Sequence, residues 1–453
     1  MNMRKATVIL FGGLVVILPI ALLAGAERQK GDFDEDAFER PAACRQCHVD
    51  IYQQWDQAMM SKSYTHHWDE IEYFELALRN LEQDPSIEDV VAGCNGCHAP
   101  VAWMTGTRFP PRPGEGSRAD EGVSCDLCHT VTGTVEEDIP YNYSYRVDPG
   151  RTKYGNREGA ESPHHDTERS EFVQSAEFCA NCHNEQSPHG VWVKSTQIEW
   201  KEGPYGENGV ECHVCHMPAA PGRNANTAKE EHPDIAQHLF HGAHDPGKVR
   251  GSIEMRMHAD RDDAEPGFPI KIEVQLFNGK CGHMVPSGSA EERQLWLTVT
   301  ALAPDGRVYH LPVDRKGFEG EEHTITSNEP AYQDIGEMRG ESSFEGLPRD
   351  AVEHEGDRIF CLPYFDPQGR RTMAQWNTAS LGTDYRIGPR ETKIETYTWN
   401  VPGDMPEGRV VVKAELKFRL LVKSVADYLG VPEEETEIIM VNDARTEFEV
   451  IYY

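Results

Sequence analysis

Five C-x-x-C-H strings between residues 44 and 216, and a C-terminal stretch that alternates apolar and polar residues, predict a two-part molecule. The first part should be short helices and loops wrapped round covalently attached haem. The second should be an all-β immunoglobulin-like sandwich. A chain of 453 residues fits two or three domains, and 38% hydrophobic residues exclude a polytopic membrane protein. Lys and Arg number 44 against 76 Asp and Glu, a formal charge of −32. That balance excludes nucleic acid as a partner, because phosphate binding needs a basic face. It also argues against rest on an anionic membrane surface.

Residues 1–26 read as an N-terminal address. Arg4 and Lys5 precede an apolar run from Ala6 to about Ala24, and Ala24-Gly25-Ala26 is a small-residue cleavage pattern. The run serves either as a cleaved signal peptide or as an uncleaved membrane anchor through residues 6–25. Both readings export the rest of the chain, to the periplasm or beyond. Residues 27–40 are charged and read as a tether, 41–250 as the haem-bearing part and 251–453 as the sandwich.

The strings are Cys44 to Cys47 with His48, Cys94 to Cys97 with His98, Cys125 to Cys128 with His129, Cys179 to Cys182 with His183, and Cys212 to Cys215 with His216. In each, two thiols can add across the vinyl groups of one porphyrin edge while the next residue brings imidazole to the iron. Zinc is the rival for C-x-x-C pairs, but all five are followed by His. The reading is therefore five covalently bound c-type haems, with these five histidines as proximal ligands. Successive strings start 50, 31, 54 and 33 residues apart. Gly122-Val123-Ser124-Cys125 echoes Gly209-Val210-Glu211-Cys212. The alternation predicts a repeat in which strings 2 and 3 form one pair and strings 4 and 5 another. Few, short helices are expected, at Gln53–Ser61, Glu70–Leu81 and Arg169–Ala176. Five macrocycles would supply the core that so loop-rich a segment lacks.

Sixth ligands must come from the remaining histidines or from a methionine. The candidates are His66 and His67 after the first string, His164 and His165 before the fourth, His238 after the fifth, and His283 at the start of the β-rich part. Within His238 to His244, His241 and His244 stand behind His238. Met60 is the thioether candidate, and such a ligand would raise the haem potential relative to a second imidazole.

Several of these segments resemble exported multihaem c-type cytochromes: Ile51-Tyr52-Gln53-Gln54-Trp55, Gly122 to Cys125, Glu177 to His183, Cys215-His216-Met217-Pro218 and His238 to Gly242. The similarity is to the tetrahaem type linked to hydroxylamine oxidation and to filament-forming tetrahaem cytochromes, over roughly residues 41–245. Gly282 to Gly288 and Arg293 to Leu297 resemble the β-sandwich appended to many of them. The resemblance implies a multihaem cytochrome c domain engaged in electron transport. Family members carry a histidine ligand after the first haem where this chain has Met60. Either that haem is His/Met ligated, or His66 or His67 takes over. A fifth string also departs from the tetrahaem pattern.

From about Gly251 the strings stop. Strands are expected at Ile270–Phe277, Gln294–Ala301, Arg307–Leu311, Ile394–Val401, Arg409–Leu421 and Thr446–Tyr453. Cys281 and Cys361 are the leftover thiols, and in an exported domain a disulfide between them is expected. No nucleophile–base pair stands out, so the chain reads as a carrier rather than a catalyst. The expected partners are redox proteins: a membrane oxidoreductase, other multihaem cytochromes, or further copies of the chain. Two alternatives stay open. One is an oxidoreductase acting on nitrite, hydroxylamine or a sulfur compound at one open haem. The other is a subunit of an extracellular cytochrome filament.

Overall fold

The structure is a computed structural model that describes residues 33–350 and 352–452. The apolar segment 1–26 and residues 27–32 of the tether lie outside the described residues. Among the described residues, no helix is long and apolar enough to cross a membrane.

The end of the tether is part of the fold, contrary to the sequence expectation. Phe38 is buried, the Arg118 guanidinium donates to the carbonyls of Glu35 and Phe38, and the Glu39 amide donates to Asp126. One buried aromatic and three hydrogen bonds outweigh the charged composition that made this segment look like a linker.

The first part is built from short helices and two-stranded ribbons. Helix α1 (Val49–Gln57) follows the first string directly. A helical run from His67 to Gln83, with a π-type turn at Glu72–Ala77, covers the second expected helix. The third expectation fails. Residues 169–176 hold a strand end and a 3-10 turn, and helix α2 spans Ala176–His183 instead. Ser175 explains the shift: its side chain accepts from the Phe178 amide, so the helix starts after it and contains the fourth string. Helix α3 (Thr196–Lys201) follows.

The second part is framed by two main sheets, with two smaller ones in its long loops at 330–348 and 364–381. Strands β1 (Glu254–Ala259), β2 (Pro269–Phe277), β3 (Gln294–Leu302), β4 (Val308–Leu311), β5 (Thr392–Asn400), β6 (Gly408–Arg419) and β7 (Ile439–Val450) carry the framework. One sheet runs β7-β6-β3-β4, with Asp263–Ala264 at the β7 edge and Arg358–Ile359 paired to β3; the other runs β5-β2-β1. Alternation decides which faces meet. Ile270, Ile272, Val274 and Leu276 of β2 and Val410, Val412, Ala414 and Leu416 of β6 enter one shared core. Strand β1 is absent from the expected set, although Glu-Met-Arg-Met-His-Ala alternates. The last strand begins at Ile439 rather than Thr446.

The two parts interlock. Residues 330–338 and 421–426 share an apolar cluster with Trp68 and Leu76. Trp68 Nε1 donates to Glu292 at 3.0 Å, Trp376 Nε1 to Asn80 at 2.8 Å and Tyr205 Oη to the Gly279 carbonyl at 2.7 Å.

Candidate haem-binding site

Strings that are distant in sequence meet in space. The Cys44 and Cys125 thiols are in contact, as are Cys97 with Cys182 and Cys179 with Cys212. Cys128 lies near Cys179 and Cys182. String 1 therefore pairs with string 3, string 2 with string 4, and string 4 with string 5. This corrects the expected pairing of 2 with 3. The local echo is nevertheless structural. Trp55 of α1 donates to the Val123 carbonyl at 2.8 Å, and Trp200 of α3 donates to the Val210 carbonyl at 2.7 Å. The Val123 amide returns to Met60 and the Val210 amide to Tyr205. The repeated unit is a string, a Trp-bearing helix, a Gly-Val turn and a second string. String 2 is an insertion within its first copy. Gly122 and Gly209, which open the two turns, have φ of 54° and 66°.

A cavity of about 2560 Å³ runs between the parts, against roughly 300–1,000 Å³ for an ordinary small-ligand pocket. The cysteines and histidines of strings 1, 3, 4 and 5 line it, together with His165, His238, His244 and His283.

Three pairs of imidazoles face each other across this space. His48 and His165 have ring centres 6.2 Å apart, His129 and His238 6.2 Å, and His216 and His283 6.5 Å, at interplanar angles of 29°, 26° and 17°. A metal–imidazole bond is about 2.0–2.1 Å. A ring with bonds near 1.33 Å puts nitrogen roughly 1.1 Å from its centre. Two imidazoles sharing one metal therefore need centres about 6.3 Å apart, which all three pairs meet.

The ring orientations agree. The Nδ1 atoms of His48, His129 and His216 lie 2.6, 2.8 and 2.7 Å from the carbonyls of Asn224, Tyr154 and His241. Those of His165, His238 and His283 lie 3.1, 3.0 and 2.7 Å from the carbonyls of Asp166, Ala236 and Met284. Each ring thus donates from Nδ1 and leaves the Nε2 lone pair free, the usual arrangement of a ligating histidine. Burial pushes His216 and His238 down to about 4 and lowers His129 as well, so these rings are neutral near pH 7. Paired thiols, free imidazole nitrogens and apolar room fit c-type haem.

Strings 2 and 4 differ. His98 Nδ1 bonds the Ser63 carbonyl at 2.7 Å and Asp69 at 3.2 Å. His183 makes no such carbonyl bond among the described residues. No described ring pair sets another imidazole against either of them. Around these two strings gathers a charged set that sequence reading missed: buried Glu291 and Glu292 with half-buried Glu72, Glu185 and Lys194. Lys194 Nζ bonds Glu185 at 2.6 Å. Burial, and next the Glu292 charge, push the carboxyls of Glu72 and Glu291 well up. Both Glu291 carboxylate oxygens are buried without a partner. In so acidic a chain, Glu-Glu-Arg at 291–293 reads as solvated surface, and no local pattern marks it otherwise.

The other candidates fall outside the pairs. Met60 lines the cavity with Met59, but the ring opposite His48 is His165. His66 bonds Asp69 and Glu435, and His67 is exposed beside Glu434. His164 is exposed. The expected disulfide is absent: Cys281 and Cys361 are both free. Cys281 faces Cys215 and Lys248, whereas Cys361 is buried with Trp296 and Ile359. The two-sheet packing separates them. Cys215 is the exposed cysteine among the strings, and its neighbour Val214 is 52% exposed.

Residues 43–130 match the family model for cytochrome c554 and c-prime. A search of curated proteins returns no match. Among solved structures, a penta-heme cytochrome c552 from Thermochromatium tepidum is similar at 20% identity and TM-score 0.60, over 91% of this chain and 99% of that one. The CARDB domain of a Pyrococcus furiosus protein aligns with 44% of this chain and 87% of its own at 12% identity and TM-score 0.18. The family match and the shared fold support a multihaem cytochrome of c type with covalently bound haem.

Proposed function

We propose that this multihaem cytochrome is an exported pentahaem electron carrier, one haem on each string, with an immunoglobulin-like sandwich as its second part. The observation that carries the reading is the set of three facing imidazole pairs at 6.2–6.5 Å, on strings whose attachment cysteines touch. When bound, haem supplies one-electron chemistry, and axial ligands, burial and nearby charge tune its potential. The chain's part is positional. His48/His165, His129/His238 and His216/His283 would hold three irons in bis-imidazole coordination. The carbonyls behind the rings fix their orientation, and neutral imidazoles keep their lone pairs available. The acidic surface favours a basic or haem-rich redox partner. Mass spectrometry and the pyridine haemochrome assay should count five haems per chain, with at least three low-spin bis-imidazole signals in electron paramagnetic resonance. Fewer haems, or His/Met character at the first string, overturn the reading.

A second reading is favoured by one observation: His98 and His183 face no second imidazole among the described residues, while buried carboxyls and Lys194 crowd their strings. An iron held there would have a position open to nitrite, hydroxylamine or a sulfur compound, with Glu72 and Glu291 able to hold protons. A high-spin ferric signal that shifts with hydroxylamine or nitrite supports it, and six-coordinate low-spin spectra at every haem remove it.

A further inference from the structure

The sequence marked His66 and His244 as histidines without a settled task, and neither stands opposite a proximal ring. They meet each other instead. The ring centres of His66 and His244 are 4.9 Å apart at 89°. Glu435, from a 3-10 turn at Glu433–Thr436, closes the group. One ligand atom from each of the three lies within 4.8 Å of the others. His66 precedes the helix at His67–Ile71 and His244 lies in the loop after the fifth string, so the group joins both parts of the molecule. The side chains of His66 and Glu435 are 11% and 9% exposed.

We propose that His66, His244 and Glu435 form a binding site for a divalent first-row transition ion such as Zn²⁺, distinct from the three facing imidazole pairs and at the edge of the cavity that His244 lines. Two imidazoles and a carboxylate are the ligand chemistry of that class, with a fourth place left for water. The support behind the ligands is also present. His66 Nδ1 lies 3.1 Å from Asp69 Oδ2, a carboxylate orienting a histidine whose Nε2 points at the site. Nε2 now lies 2.9 Å from Glu435 Oε1, a hydrogen bond that the ion would replace by taking the place of one proton. The second Asp69 oxygen lies 3.2 Å from His98 Nδ1, so charge at the site reaches the proximal residue of string 2 through one carboxylate. The bland alternative is a salt-bridged histidine between two acids. It accounts for His66 but gives His244 and its approach no role. The site does not depend on the haem count.

The test uses haem-loaded protein purified without chelator. Elemental analysis and equilibrium dialysis against Zn²⁺ alone should find one equivalent per chain. His244→Ala and Glu435→Gln should each lose it, with the haem absorption spectrum and circular dichroism unchanged. Asp69→Asn should weaken binding roughly 10- to 100-fold. His67→Ala, which changes the exposed neighbour, should bind like the parent. Absence of a stoichiometric ion in the parent, or equal zinc binding by the His244→Ala and Glu435→Gln variants, overturns the proposal. A high-spin haem appearing in His244→Ala also overturns it, because His244 would then be an iron ligand.

Discussion

His165 shows how much one side chain decides. It stands opposite His48, and its orientation is set by its own neighbour's carbonyl. Replacing it with methionine exchanges a strong donor for a thioether and should raise one haem potential. The expected shift is on the order of a tenth of a volt, within the ~0.8 V that axial ligands span. Spectroelectrochemical titration reads this directly, and an unchanged set of potentials would show that His165 is no ligand. The two rings of each facing pair were unequally legible. The string histidines are tied to their cysteines by sequence spacing, so sequence alone carries them. Their opposites come from remote loops: His165 lies between strings 3 and 4 but faces the ring of string 1, and His283 lies in the β-rich part but faces the ring of string 5. His238 and His283 were candidates because each sits in a distinctive local setting. Met60 attracted attention through a family position, but the ring that faces His48 is His165.

At the scale of elements, the Gly122 turn sets where string 3 begins. A Cβ at this residue would lie 2.7 Å from the carbonyl oxygens of Met60 and Ser61, and φ is 54°. Gly122→Ala should therefore cost about 1–3 kcal/mol and lower the melting temperature, as thermal denaturation of haem-loaded protein would show. Alanine at Gly133, where a Cβ meets nothing within 4 Å, is the matched control. The strands were largely legible because period-2 alternation is forced wherever one face of a sheet is buried. Helix α2 was misplaced because its start depends on one serine cap, a weaker signal than the periodicity around it. The repeat was visible in Gly-Val-x-Cys, but its partner strings were not. Trp55 and Trp200 make the equivalent bonds, and their distances from the preceding strings differ.

For the molecule as a whole, the joint between the parts is polar and charged as well as apolar. Glu199 on α3 accepts from Arg386 at 2.7 Å, from Ser287 at 2.6 Å and from the Met284 amide at 3.2 Å. Burial alone would raise its carboxyl, but Arg386 and Ser287 outweigh it and hold it below the usual range. An acid with a depressed native value adds stability above its ordinary pKa and loses that contribution as pH falls through the native one. Glu395, pulled down by His323 and Arg358 against its own burial, acts in the same direction inside the second part. Thermal stability should therefore fall as pH drops from about 5 towards 3. Glu199→Gln should be less stable than the parent at pH 7 and show a shallower acid decline. A parallel decline in both proteins would assign the acid sensitivity elsewhere. Only the reach of His283 back towards the strings was legible beforehand; the other residues of the joint are scattered from Trp68 to Val425, and each looks ordinary in its own stretch.

The fourth string touches the second and the fifth and lies beside the third, which in turn touches the first. Such a layout is a confluence rather than a row. Two branches, one from the first and third strings and one from the second, meet at the fourth, which also touches the fifth. Damage at the first string would shorten one branch and leave the rest continuous. Damage at the fourth would leave the remaining strings as separate islands, however well each of them worked.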